Sequence, residues 1–435
     1  MPSRIASARR SLPRAAALAL AVSFAGAVTG MYPALASAAV ATSSAPAAPT
    51  VPAGFSVQTV ATGPTGQSSP DDITRLGNHL FVAYQNGVGS DGKASPKGAT
   101  KSTIVEYTLA GQQLASWSVT GKVDGMGADA DGNRVIATVN EDGNSSLYTV
   151  TPSAAASAQL QHFAFQGMTH GGGTDSVLVT GGKIYLTGSA PAADADGKTY
   201  SKPALYTAVL TPAAGGTGTV ALTPVLSDNA VAKDAVTGKS TKLNLSDPDS
   251  SEHVPAAAPR FGGDLLLDSQ GDKQLIFQNG AQTPTVLNLN TQVDDTTFAT
   301  GSTGTLYVVD SKNDKILAIT GQFTAGQAFT SVPGDSTTLP GTLGTLDTAT
   351  GTVSSFAKLG SPKGLLFTPE TLAAPVGSGG SSSSAQPSAS ASASGPALAA
   401  TGAGATLPIA GAAVAALVLG GGAVLIARRR AGRRS

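Results

Sequence analysis

Among the side chains able to do chemistry, the aspartates carry the clearest pattern. Asp72, Asp124, Asp175 and the pair Asp294 and Asp295 each open a stretch of the same kind: an acid and an apolar residue, a Gly turn, then a run of β-formers. From Asp72 to Asp124 to Asp175 the step is about 50 residues. Acids at equivalent positions of a repeat meet wherever the repeats close around an axis. A ring of carboxylate oxygens would suit a hard cation such as Ca²⁺, which takes about six to eight oxygen ligands. Asn140 and Glu141, at the end of one β-run, could supplement the set. The competing reading is that these short acids cap tight turns by accepting main-chain N–H bonds. The Asp-Gly pieces at Asp129–Gly132 and Asp194–Gly197 lack the acid that completes a calcium loop and read as turns.

Four histidines could act as bases: His79, His162, His170 and His253. His170 lies in the Gly-rich stretch Met168–Asp175, leading into a repeat opening, and is the candidate general base. The ordinary reading, a loop histidine, competes with it. No zinc-type histidine spacing, nucleophile elbow or phosphate-cradling Gly-Lys-Ser/Thr motif occurs. Aromatics make up 5% of the chain with Trp117 the single tryptophan, which disfavours a glycan binder built on stacked rings.

The elements that position these residues are short strands. Between 54 and 370 no long stretch has helical periodicity, whereas runs such as Leu80–Tyr84, Ile104–Thr108, Val135–Val139 and Leu306–Val309 recur between Gly, Asp and Asn. Residues 54–370 are therefore expected to be an all-β domain. A period near 50 with four strands per unit is expected to give a six-bladed β-propeller, with an insertion between 190 and 262. One blade is expected to run from Val293 through Ile319, and Gly54–Val60 is expected to complete a blade begun at Ser361–Phe367. A pair of β-sandwiches is the alternative. On this repeat rhythm the segment resembles the six-bladed propellers of the NHL and gluconolactonase type. The resemblance implies, for one branch, a divalent metal held by Glu, Asn and Asp in the channel and a lactonase-type hydrolysis.

Both ends read as targeting segments. Arg4, Arg9, Arg10 and Arg14 precede an apolar stretch from Ala15 to about Val28 and an Ala34-Leu35-Ala36 site, the order of a signal peptide over 1–36 cleaved after Ala36. The residues after the Arg9-Arg10 pair do not continue a twin-arginine pattern. An Ala/Pro-rich spacer covers 37–53, and a Ser/Gly/Ala stalk covers 371–397. The segment 398–435 has Leu398-Ala399-Ala400-Thr401-Gly402, an uncharged apolar run over about 405–427 long enough for a transmembrane helix, and five terminal arginines. It resembles the sortase signals of Gram-positive bacteria in the Leu-Ala-x-Thr-Gly form used by class E enzymes of actinobacteria. The resemblance implies that a sortase cleaves after Thr401 and joins Thr401 to peptidoglycan. An uncleaved anchor is the plainer alternative.

The tails also disguise the charge. The chain has 27 basic and 27 acidic residues; four arginines lie before 37 and five beyond 402. Residues 37–402 thus keep 18 basic against 27 acidic groups, a net charge of −9. Such a surface excludes nucleic acid as a natural partner. Without cysteine there is neither disulfide nor thiolate chemistry. The expectation is a displayed, non-catalytic module binding an extracellular protein or glycan, with the metal-dependent lactonase-type hydrolase as the alternative.

Overall fold

The computed structural model describes residues 49–168 and 171–372. The expected signal peptide, stalk, sorting motif and transmembrane helix, together with His170, lie outside the described residues. Among the described residues no helix is long and apolar enough to cross a membrane.

The described chain is all-β apart from two single 3₁₀ turns. Its strands form six four-stranded antiparallel groups. From the inside outward, the first holds Pro70–Leu76, His79–Tyr84, Lys101–Thr108 and Gln113–Thr120. The second holds Val123–Asp129, Arg134–Val139, Ser146–Val150 and Leu160–Gln166. The third holds Gly173–Thr180, Lys183–Ser189, Pro203–Ala213 and Thr217–Ser227, and its outermost strand pairs in parallel with Leu160–Gln166 of the second. The fourth holds Pro248–His253, Leu265–Ser269, Gln274–Gln278 and Thr285–Asn288, extended by Val231–Asp234 and Ser240–Lys242.

The last two sheets are interleaved. The fifth is Asp295–Phe298, Ala328–Val332, Thr342–Asp347 and Thr352–Lys358; the sixth is Pro362–Thr368, Thr305–Asp310, Lys315–Gly321 and Phe55–Thr62. The chain lays the innermost strand of the fifth sheet, crosses to make the middle hairpin of the sixth, and returns before closing. The expected single blade from Val293 to Ile319 is therefore divided between two sheets. The N-terminal strand shares a sheet with Pro362–Thr368, as its outermost member, with Phe55 paired to Gly321 and Thr62 to Lys315.

Hydrophobic burial explains why the sheets stand as they do. Leu80, Phe81, Val82, Ala83 and Tyr84 are all buried, so both faces of that strand are covered and the run is continuously apolar instead of alternating. Six clusters fill the six gaps between neighbouring sheets. One packs Phe81, Ile104 and Trp117 of the first sheet against Val123, Met126 and Val135 of the second. Another packs Tyr84 and Tyr107 of the first against Tyr307 and Ile316 of the sixth, which returns the series to its start. The innermost strands follow the same cyclic order, sixth against first included. This propeller-like arrangement is unlike a pair of sandwiches.

The expected insertion at 190–262 is mostly structure of the third and fourth sheets. Its Pro248-Asp249-Ser250-Ser251-Glu252-His253 is the innermost strand of the fourth sheet, although it contains no apolar β-former. Closure at the sixth sheet rests on the outermost strand, whose Phe55 ring packs edge-on against Phe323 and Phe356 at 5.2 and 5.0 Å. Phe55→Ala should cost about 2 kcal/mol, below the usual value for a fully enclosed ring because Phe55 is half-buried. Urea unfolding followed by tryptophan fluorescence measures it.

A charged ring at the bulges as candidate functional site

Each innermost strand carries the same irregularity near its start: two residues face one on the neighbouring strand. The register slips between Pro70 and Ile73, Val123 and Met126, Thr174 and Val177, Pro248 and Ser251, and Pro362 and Leu365. In the fifth sheet Asp294 N and Asp295 N donate to Ser331 O and Ser331 Oγ, the same two-to-one pairing. A bulge turns one side chain away from the sheet, and bulges repeated at one end of each innermost strand gather their side chains around the axis.

The first residues of the six bulges are Asp71, Asp124, Asp175, Asp249, Asp294 and Lys363. Five acids and one lysine face one another. A second lysine enters from just before the second bulge: Lys122 Nζ is 2.6 Å from Asp124 Oδ1 and also binds Glu141. Lys363 Nζ binds Asp294 and lies 3.9 Å from Asp71 Oδ1. Their side chains are 17% and 27% exposed. Burial alone would favour the neutral amines. The carboxylates of Asp124, Glu141 and Asp71 around Lys122, and of Asp294, Asp71 and Asp249 around Lys363, outweigh it and hold both ammoniums above the usual lysine range.

The acids respond to the same forces. Burial pushes Asp71 up to about 6 against the pull of Lys363. Burial also raises Glu141, but Lys122 overrides it and holds the carboxylate below its ordinary value. Further round the ring, burial, then repulsion from Asp249, pushes Asp175 well up, and burial, then repulsion from Asp294 and Asp247, does the same to Asp249. The ring therefore has one arc neutralised by lysines and one where burial and neighbouring acids favour the neutral carboxyl.

Where the second residue of a bulge is an aspartate, it serves the backbone. Asp72 Oδ1 accepts from Ile73 N at 2.6 Å and its Oδ2 from Met126 N in the next sheet. Asp295 Oδ1 and Oδ2 accept from Thr296 N and Leu365 N, both at 2.7 Å, the latter again in the next sheet. Where glycine takes this place the neighbouring backbone comes too close for a side chain. A Cβ on Gly125 would stand 2.3 Å from Asp175 O, and one on Gly364 2.8 Å from Asp71 O. Asp72 and Asp295 were thus aligned one residue out of step with Asp124, Asp175 and Asp294. The true partners Asp71, Asp249 and Lys363 were missed. The signal was present: each sits two residues before the strand position that resumes regular pairing, as in Pro70-Asp71-Asp72-Ile73 and Pro362-Lys363-Gly364-Leu365.

Among the described residues, no three His, Asp or Glu side chains form a group that could hold a metal ion. Asn140 anchors a turn, accepting from Lys122 N and donating to Asn144 O. Asp129 accepts from Gly132 N in the hairpin turn read from the sequence. The described histidines lie off the ring: His79 pairs with Glu106 at 2.6 Å, and His162 packs on Tyr148 at 4.7 Å. His253 is exposed and lines an open cleft of about 430 Å³ with Lys183, Tyr185 and Val225.

No family model matches the sequence, and no curated protein matches it. Several solved structures overlap its fold at low identity. A candidate gluconolactonase solved as a structural-genomics target is 12% identical, with a TM-score of 0.36 over 74% of this chain and 84% of that one. The WD40 β-propeller domain of Doa1 gives 12%, 0.36, 72% and 97%, and a chain of a nidogen–laminin complex 10%, 0.38, 69% and 84%. The chain spans 57% of the length of Kuenenia stuttgartiensis hydrazine synthase and 64% of a Bacteroides thetaiotaomicron protein of unknown function, two further likenesses. At this level of overlap no residue role or activity transfers.

Removing an ammonium from the ring leaves Asp294, Asp71 and Asp249 facing one another. Lys363→Ala should cost about 3 kcal/mol at pH 7.5, the range for breaking a buried pair. The cost should be smaller at pH 4.5, where Asp71 and Asp249, both raised by burial, take up protons. Urea unfolding at the two pH values measures both.

Proposed function

We propose that the chain is an exported, cell-wall-anchored display protein whose domain is a six-bladed β-propeller acting as a non-catalytic binding module for an extracellular protein or glycan. The observation that carries this reading is the origin of the counter-ions. At the channel mouth, where a metal-dependent hydrolase would keep carboxylates free for a cation, Lys122 and Lys363 already supply the positive charge. Asp72 and Asp295, which the metal reading would enlist, accept main-chain N–H bonds. The acidic excess of residues 37–402 favours a cationic or neutral partner.

The lactonase-type reading draws on one feature, the neighbouring acids Asp175 and Asp249, both raised by burial, which a divalent cation would hold as carboxylates. The two readings separate in calorimetry of the secreted protein with excess Ca²⁺ and with EDTA. The binding-module reading predicts melting temperatures equal within about 1 °C; stabilisation by several degrees, the linkage expected for a bound ion, would contradict it.

Anchoring draws on the terminal pattern, Thr401-Gly402 directly before the apolar run and its arginine stop. In a host with a class E sortase, Thr401→Ala should leave the protein extractable by detergent instead of covalently bound to peptidoglycan. Fractionation of the wall after muramidase digestion reads the outcome, and unchanged wall linkage rejects the sortase step.

A further inference from the structure

The residue opposite each bulge, on the second strand of its sheet, is Ala83, Thr138, Thr187, Asp268, Ser331 and Val309 in ring order. Where it is threonine it joins two sheets. Thr138 Oγ1 accepts from Gly125 N of its own bulge at 3.2 Å and donates to Asp175 O of the next sheet. Thr187 Oγ1 accepts from Ser176 N at 2.9 Å and donates to Asp249 O at 2.8 Å. A hydroxyl can do both at once because it has a proton to give and lone pairs to receive one.

Asp268 breaks the series. It is wholly buried, and neither carboxyl oxygen has a hydrogen-bond partner. Ser250 Oγ, in the bulge it faces, is likewise buried and unpartnered. The seams around this one are joined: Ser176 Oγ reaches Ser251 Oγ between the third and fourth sheets, and Asp295 reaches Leu365 N between the fifth and sixth. By register, Asp268 takes the place from which Thr138 and Thr187 reach an N–H of their own bulge and a main-chain carbonyl of the next sheet; the groups at the equivalent positions here are Ser250 N and Asp294 O. A carboxylate has no hydrogen for a carbonyl, whereas a carboxylic acid has one.

We infer that Asp268 is an un-ionised carboxylic acid whose O–H takes over the threonine's donor role, making the seam between the fourth and fifth sheets a joint held by a proton.

The surroundings favour that state. The groups facing Asp268 are Asp247 and Asp249 at the innermost strand of its own sheet, Asp272 in the following turn, and Asp294 and Asp295 of the fifth sheet, all acids. Lys363 is engaged with Asp294 and acts on Asp71 and Asp249. Burial, then repulsion from Asp294, Asp295, Asp247 and Asp272, raises Asp268 well above the ordinary 3.8. The sign follows from linkage. The stability held by this proton is fully present below the ordinary carboxyl value and is lost as pH rises towards and through the raised native one.

Thermal unfolding of the full exported protein at pH 5 and pH 8 tests the joint, comparing wild type with Asp268→Asn and Asp268→Thr. Asparagine fixes the neutral state, and threonine restores the residue found at two equivalent positions. Either variant should melt close to wild type at pH 5 and about 3 °C above it at pH 8. A difference that does not change between the two pH values, or a wild type more stable than both variants at pH 8, overturns the inference. If both variants fail to fold, ¹³C carboxyl NMR of the wild type decides: an un-ionised Asp268 signal at pH 7 is expected, and an ionised one overturns the joint.

Discussion

The constraint on which everything else depends is that each sheet is apolar on both faces. A sheet such as the one holding Leu80–Tyr84 can bury both faces only between two other sheets, and the same need applies to every neighbour in turn. A closed cycle meets that need without leaving an apolar face to solvent, which an open stack could not do. Hydrophobic burial thus selects the ring. The strands that line it then have no choice but to bring their starts together.

Once the starts converge, the bulges decide what meets at the axis. Each bulge sends one side chain inward, and in three of them the next residue, Asp72, Ser176 or Asp295, grips the adjoining sheet, so charge and cohesion come from adjacent residues. Asp71 and Asp72 make the point: one faces Lys363, and the other accepts the Met126 N–H of the second sheet. Five inward acids would repel at this distance. Lys122 and Lys363 offset the repulsion on one arc, and on the other burial raises Asp175 and Asp249 towards the neutral carboxyl. The ring is therefore cohesive near neutral pH without an external ion, which is the physical basis for reading it as a scaffold for binding instead of a metal centre.

The all-β nature of the domain was legible because both-face burial leaves an unusual trace, apolar runs that do not alternate. The repeat was legible from its Asp and Gly spacing. The interleaving of the last two sheets left no such trace: Asp295–Phe298 and Thr305–Asp310 are adjacent in sequence and individually good strands, and pairing partners are set by packing around the closure. Pro248–His253 was hidden because its pairing and bulge, not apolar content, make it a strand. Asp124, Asp175 and Asp294 were legible as equivalent. Asp71 was lost beside Asp72 because two adjacent acids look interchangeable until the bulge separates them. Lys363 was lost because it keeps the position and reverses the charge.

The central claim is that the ring carries its own cations. It is tested most directly by ¹⁵N NMR of the lysine Nζ groups in the exported protein. Two ammoniums, assigned by loss in Lys122→Ala and Lys363→Ala, should show slowly exchanging protons and remain charged at pH 10.5, the ordinary lysine midpoint. If every lysine titrates together near that value with fast-exchanging protons, the two amines are not held by the ring, and the account fails.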